Sequence, residues 1–79
     1  MLAKIKSIPI HNRSEQELHV FLEPEGDCIA VGPKQKCEIV PEQTIEVSEI
    51  ELDIEYHGDS LSIHLFVEKS VFVNGEQVR

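Results

Sequence analysis

The sequence predicts an all-β fold, a small antiparallel β-sandwich or partly closed barrel of about six to eight short strands. Three observations carry that expectation. Isoleucine and valine are abundant and tryptophan is absent, so β-branched aliphatic side chains must fill the core, and these suit strands. Turn formers recur between short apolar runs, at Pro24-Glu25-Gly26-Asp27, Gly32-Pro33 and Asn74-Gly75. No stretch carries the helical apolar period over a useful length. With 79 residues, 41% of them hydrophobic, residues 1–79 form one folded domain with a small core.

Taken in order, Lys4 to His11 reads as a first strand. Pro9 has no N–H to give a ladder, which places this strand at a sheet edge. Asn12 to Glu17 is a polar connection that opens on turn formers and has room for a short helical turn. Leu18 to Glu23 is the second strand, with Leu18, Val20 and Leu22 on one face. The turn Pro24-Glu25-Gly26-Asp27 leads into Cys28 to Val31, Gly32 to Gln35 turns the chain again, and Lys36 to Val40 runs until Pro41. Thr44 to Val47 is a short strand or an approach to the next element. Ser70 to Val73 then precedes Asn74-Gly75, the pair favoured in a type I′ turn because both central residues need positive φ. Glu76 to Arg79 returns, with Val71 opposite Val78.

Glu49 to Val67 alternates most strictly and reads as a central hairpin. Glu49, Glu51, Asp53 and Glu55 fall on one face, and Ile50, Leu52, Ile54 and Tyr56 on the other. Leu61, Ile63, Leu65 and Val67 resume the apolar face after His57-Gly58-Asp59-Ser60. A two-residue Gly58-Asp59 loop, with glycine first as in a type II′ turn, sets Tyr56 against Leu61, Ile54 against Ile63, Leu52 against Leu65 and Ile50 against Val67. A slip of one residue would put this whole face in water.

The formal net charge is -8 and unevenly spread. Residues 1–36 hold five basic and five acidic residues, whereas 37–79 hold ten acids against Lys69 and Arg79. Direct nucleic-acid binding and attachment to an anionic membrane both need a basic footprint and are not expected. No run approaches the ~20 apolar residues of a membrane span. The N-terminus lacks the apolar core of a signal peptide, so the cytoplasm is the expected location. Cys28 and Cys37 both flank aliphatic residues and read as buried, reduced thiols; their spacing is not that of a C-x-x-C motif.

The order Asn12-x-Ser14, then Leu18-x-Val20-x-Leu22-Glu23-Pro24-x-Gly26, then an aliphatic strand and Pro33, followed by a charged aliphatic strand, a Gly-Asp turn and a closing Asn-Gly hairpin, resembles a loose group of small uncharacterised bacterial proteins. Members of that group often read N-x-S/T and L-x-V-x-L/V-E-P-W-G, then a P-G turn. Here Glu25 stands in the tryptophan position and Gly32-Pro33 reverses the Pro-Gly order. The resemblance implies an all-β domain and supplies no catalytic residue.

Four constellations invite a chemical reading. Glu49, Glu51, Asp53 and Glu55 would line up roughly 7 Å apart along one strand face, extended by Glu46 and Asp59; such a row can imitate backbone phosphates, or simply be a wet face that resists edge-to-edge aggregation. Asp53 would face His64 beside Ser62, but neighbours on one flat strand face point in parallel and nothing supplies an oxyanion hole, so this reads as a cross-strand ion pair. His11, His19, His57 and His64 have no chelating spacing, and only a cupin-like convergence with Glu23 and Cys28 would make a metal site. Glu23, Glu25 and Asp27 flank one turn, with too few oxygen ligands for calcium.

The functional expectation is a small non-enzymatic module that binds a protein through the face carrying Glu49, Glu51, Asp53, Glu55 and Asp59, or pairs with a second copy of itself through an open edge. No catalytic residue, cofactor or metal is assigned. Two alternatives belong to other classes: an acidic nucleic-acid mimic that inhibits a nucleic-acid-binding protein, and a cupin-like metal- or ligand-binding sandwich.

Overall fold

A computed structural model describes residues 4–54 and 59–79, except the side chains at positions 52 and 54. Among the described residues ten short strands form: β1 (Lys4–Ile5), β2 (Ile8–His11), β3 (Leu18–Glu23), β4 (Asp27–Val31), β5 (Lys36–Pro41), β6 (Ile45–Glu46), β7 (Glu51–Ile54), β8 (Ser60–His64), β9 (Lys69–Val73) and β10 (Glu76–Gln77). The described residues contain no α-helix, only a single 3-10 turn at Val47–Glu49. Sheet I has the order β10-β9-β5-β2, sheet II the order β4-β3-β8-β7, and β1 pairs with β6 in a separate two-stranded ladder. Neither four-stranded sheet closes into a barrel.

Alternation along each strand explains the layering. Cys37, Ile39 and Val71 of sheet I share one buried cluster with Val20, Leu22, Ile29, Val31, Ile63 and Leu65 from the sheet II side, and Ile45 joins from β6. The opposite positions, including Lys36, Glu38, Cys28 and Ala30, are exposed. The expected burial of both thiols therefore holds for Cys37 only; Cys28 is exposed because its inward neighbours are Ile29 and Val31. Burial raises the pKa of Cys37, with a smaller push from the Glu38 charge.

Several sequence expectations are met closely. β3 spans Leu18–Glu23 as read, and β2, with Pro9, lies at the edge of sheet I. Asn74 and Gly75 both have positive φ, 51° and 85°, and set Val73 against Glu76. Val78 and Arg79 both donate to the Val71 carbonyl, at 2.8 and 3.3 Å. Val71 therefore does oppose Val78, within a bulge where two residues face one.

Others need correction. The first strand is split at Lys6 and Ser7, and Asn12–Glu17 forms bends instead of a helical turn. Only Ile45–Glu46 of the Thr44–Val47 stretch is strand. One pair in sheet II, β3 with β8, is parallel. The central hairpin is shorter than expected, and its register differs by two residues: Leu52 faces Ile63 and Ile54 faces Leu61. A two-residue shift keeps every side chain on its own face, so alternation cannot distinguish the two registers. Ile50 and Val67 lie outside the paired strands. Tyr56, His57 and Gly58, hence the expected turn, lie outside the described residues.

Two polar clamps join the elements. Asn12, 5% exposed, donates through its side-chain amide to the carbonyls of Gln16, Val31 and Gly32 at 2.8, 2.9 and 3.0 Å. Its Oδ1 accepts from Ser14 Oγ at 2.7 Å, so this buried amide is fully used and holds the β2–β3 connection against the end of β4. Lys69, with a side chain 5% exposed, pairs with Glu25 at 2.7 Å and also donates to the Leu65 carbonyl at 3.0 Å. That ties the β3–β4 turn of sheet II to the start of β9 in sheet I. The hydrogen bonds from Lys69 hold the Glu25 carboxyl below its ordinary pKa.

Candidate functional site

The acidic candidates sit around β7, an edge strand of sheet II. Glu51 and Asp53 project to one exposed face, and Asp59 is exposed just before β8. Glu49 does not join them. It ends the 3-10 turn, where its carboxylate accepts from the Glu46 backbone N–H at 2.7 Å. Glu46 itself pairs with Lys4 at 3.4 Å. Glu55 lies outside the described residues. Of the four carboxylates expected in the row, the described residues place Glu51 and Asp53 together on one strand, with Asp59 just before β8. Among the described residues, no lysine or arginine comes within 4.0 Å of these three, whereas Lys34, Lys69 and Arg79 pair with Glu15, Glu25 and Asp27 elsewhere.

The register shift sets Asp53 opposite Ser62, and Glu51 opposite His64. Asp53 Oδ2 still reaches His64 Nε2 at 3.4 Å, diagonally across the ladder. Both side chains stand on the same face of the antiparallel β7–β8 pair, Asp53 exposed and His64 partly so. This is the geometry of a solvated cross-strand pair, and among the described residues no third group or oxyanion donor pair converges on it.

The remaining histidines separate. His11 is on the edge strand β2 of sheet I, His19 is on β3 and pairs with Glu17 at 2.9 Å, and His57 lies outside the described residues. Glu23 is beside His64 in the β3–β8 ladder. Among the described residues, no group of three histidine, cysteine, aspartate or glutamate side chains comes together as a metal site would require. Of the turn acids, Glu25 is taken by Lys69, and Asp27 faces Arg79 at 3.7 Å.

Sequence reasoning did not single out a groove of about 660 Å³ on the outer face of sheet I, lined by Lys36, Glu38, Val40, Phe72, Asn74 and Gly75. Phe72 and Val40 supply its apolar floor. The signal in the sequence was the run Val71-Phe72-Val73, which is apolar on both faces and not on one.

Comparison with family models, curated proteins and solved structures finds no match to the chain. The class that can be stated is therefore the architectural one: a small all-β protein of short strands in three mostly antiparallel sheets.

Proposed function

We propose that this chain is a small non-enzymatic protein-binding module that presents the acidic edge of sheet II to a basic surface on a partner protein. The observation that carries this reading is Glu51 and Asp53 on an edge strand, with Asp59 close by in the chain and no lysine or arginine pairing with any of them among the described residues. An edge strand offers unpaired backbone donors and acceptors. Carboxylates beside it make the approach of a cationic surface favourable and speed encounter. The net charge of -8 adds a long-range field of the same sign.

The test is capture of partners from the native lysate at low salt, using the wild type and the Glu51→Lys/Asp53→Lys double variant. The expected result is a basic protein held by the wild type, released by salt and missed by the variant, since exposed charge contacts are screened. A nucleic-acid-binding protein in that fraction would turn the reading into the inhibitor form. A partner retained equally by both proteins at high salt would overturn it.

A further inference from the structure

We propose that β4 is a self-association edge, through which two copies of this chain join sheet II to sheet II in an antiparallel, two-fold arrangement centred on Ile29. The four outer strands of the two sheets are not equivalent. On β2, Pro9 stands where a free N–H would be: Asn12 N donates to Gln35 O at 2.9 Å, so the even-numbered backbone groups turn to β5 and those of Pro9 turn outward. β7 carries Glu51 and Asp53, and β10 is only two residues long. Proline, charge and shortness are the ordinary means of blunting an edge. β4 is five residues long and has no proline, and its one charged side chain, Asp27 at the strand's start, faces Arg79 at 3.7 Å.

The ladder fixes which groups of β4 are free. His19 N donates to Asp59 O at 2.9 Å and Leu65 N donates to Glu23 O at 3.0 Å, so odd positions of β3 turn their backbone to β8. Val20 and Leu22 therefore turn theirs to β4, where they face Ile29 and Asp27. Alternation leaves the N–H and C=O of Cys28 and Ala30 on the open side.

A two-fold axis at Ile29 sets Cys28 of one copy against Ala30 of the other, twice, so each free N–H meets a free C=O. The outward side chains in contact are small. Asp27 falls opposite Val31, which keeps like charges apart. Below this edge lies a groove of about 220 Å³ lined by Cys28, Ile29, Ala30, Val73, Val78 and Arg79. Val78, 38% exposed, gains cover there. A second copy is the occupant these features fit, because the edge is complementary to itself. So short an edge buries less than a standard interface, and two chains of charge -8 repel. The dimer is therefore weak, and salt strengthens it, opposite to the salt response of a basic partner.

Sedimentation velocity from about 10 µM to about 1 mM tests this, in the range where small interfaces associate. The expected result is a reversible rise from 9.0 kDa toward twice that mass, more complete at higher salt. Ala30→Pro and Ala30→Lys should each weaken association about tenfold to hundredfold, the first by removing two interface hydrogen bonds per dimer. Ala30 faces His19 in the β3–β4 ladder as a non-hydrogen-bonded pair, so neither variant removes a β3–β4 hydrogen bond, and circular dichroism checks that the fold is kept. Register is read by Ala30→Cys with added diamide, which takes up the two thiol hydrogens. It should give a covalent dimer linked from Cys28 to position 30 of the other copy, since facing strand residues lie at disulfide distance. Adding Cys28→Ser should abolish the link. A chain that stays monomeric throughout with no cross-link, or a dimer indifferent to both edge variants, would overturn the proposal.

Discussion

The β9–β10 and β7–β8 hairpins are built from similar material and specified in different ways. In β9–β10, Asn74 and Gly75 both take positive φ. Asn74 is also held from β5: its N–H donates to Lys36 O at 2.8 Å and its Oδ1 accepts from Lys36 N at 3.2 Å. Few residue pairs can occupy that turn, so the turn itself dictates which residues face each other. In β7–β8 the apolar alternation is stricter, yet it dictates only which side chains are buried. The register expected from Gly58-Asp59 and the register found differ by two residues, an even shift that leaves each strand's two faces unchanged. Alternation chooses a face, and turn chemistry chooses a partner.

Three experiments would break or sharpen that contrast. The largest effect is expected from Ile63→Ala. Ile63 is fully buried and lies between Leu22 and Leu52 in the ladders of sheet II. Emptying that position should cost about 2–5 kcal/mol, read by chemical denaturation, because the buried face is what holds β7–β8 in place. A loss under about 1 kcal/mol would mean that the turn, not the core, secures that hairpin.

Gly75→Ala comes next. A side chain at φ 85° should cost about 1 kcal/mol, with hydrogen exchange rising first at Val78, whose N–H is bonded to Val71 O. No change at Val78 would show that this hairpin, too, is held by packing.

The β3–β4 turn is an intermediate case, fixed by an ion pair across the sheets. Glu25 has its pKa lowered in the folded state by Lys69. Its contribution is therefore fully present above the unfolded value of about 4.3, and is lost as pH falls through the lower folded value. The carboxylate is half exposed and screened, so Glu25→Gln should cost no more than about 1 kcal/mol at neutral pH. The variant should also show a shallower loss of stability between pH 5 and acid pH than the wild type, measured by denaturation at each pH. Parallel pH curves for the two proteins would assign the turn to local geometry alone.

The same contrast decides what could be read from the chain beforehand. β3, its turn at Pro24–Gly26, and the Asn74-Gly75 hairpin announce themselves within a few residues, because their determinants are local. The pairing of β3 with β8 does not, since period-two alternation carries no direction and the two segments are far apart in sequence. Glu49 left the acidic row because its carboxylate closes a 3-10 turn on Glu46 N; as a letter in an alternating string it matched Glu51. Cys28 and Cys37 look alike by composition and part company only through the phase of their strands. Of the candidate site, Glu51 and Asp53 were legible as strand-face acids, but their place at an outer edge depended on sheet order.

The parallel β3–β8 ladder also has a consequence for the order of assembly during synthesis. Between those two strands the chain makes β4, β5, β6 and β7, one of which, β5, belongs to the opposite sheet. β3 and β4 can pair as soon as they emerge, but the other flank of β3 must wait for most of the polypeptide. Such non-local closure is slow, on the order of milliseconds to seconds for β-rich topologies. In the interval, the backbone groups of His19, Phe21 and Glu23 stand open beside β4's own free edge. A nascent chain stalled before Ser60 would thus expose β3–β4 as a two-edged ribbon, the species in this protein most exposed to wrong pairing.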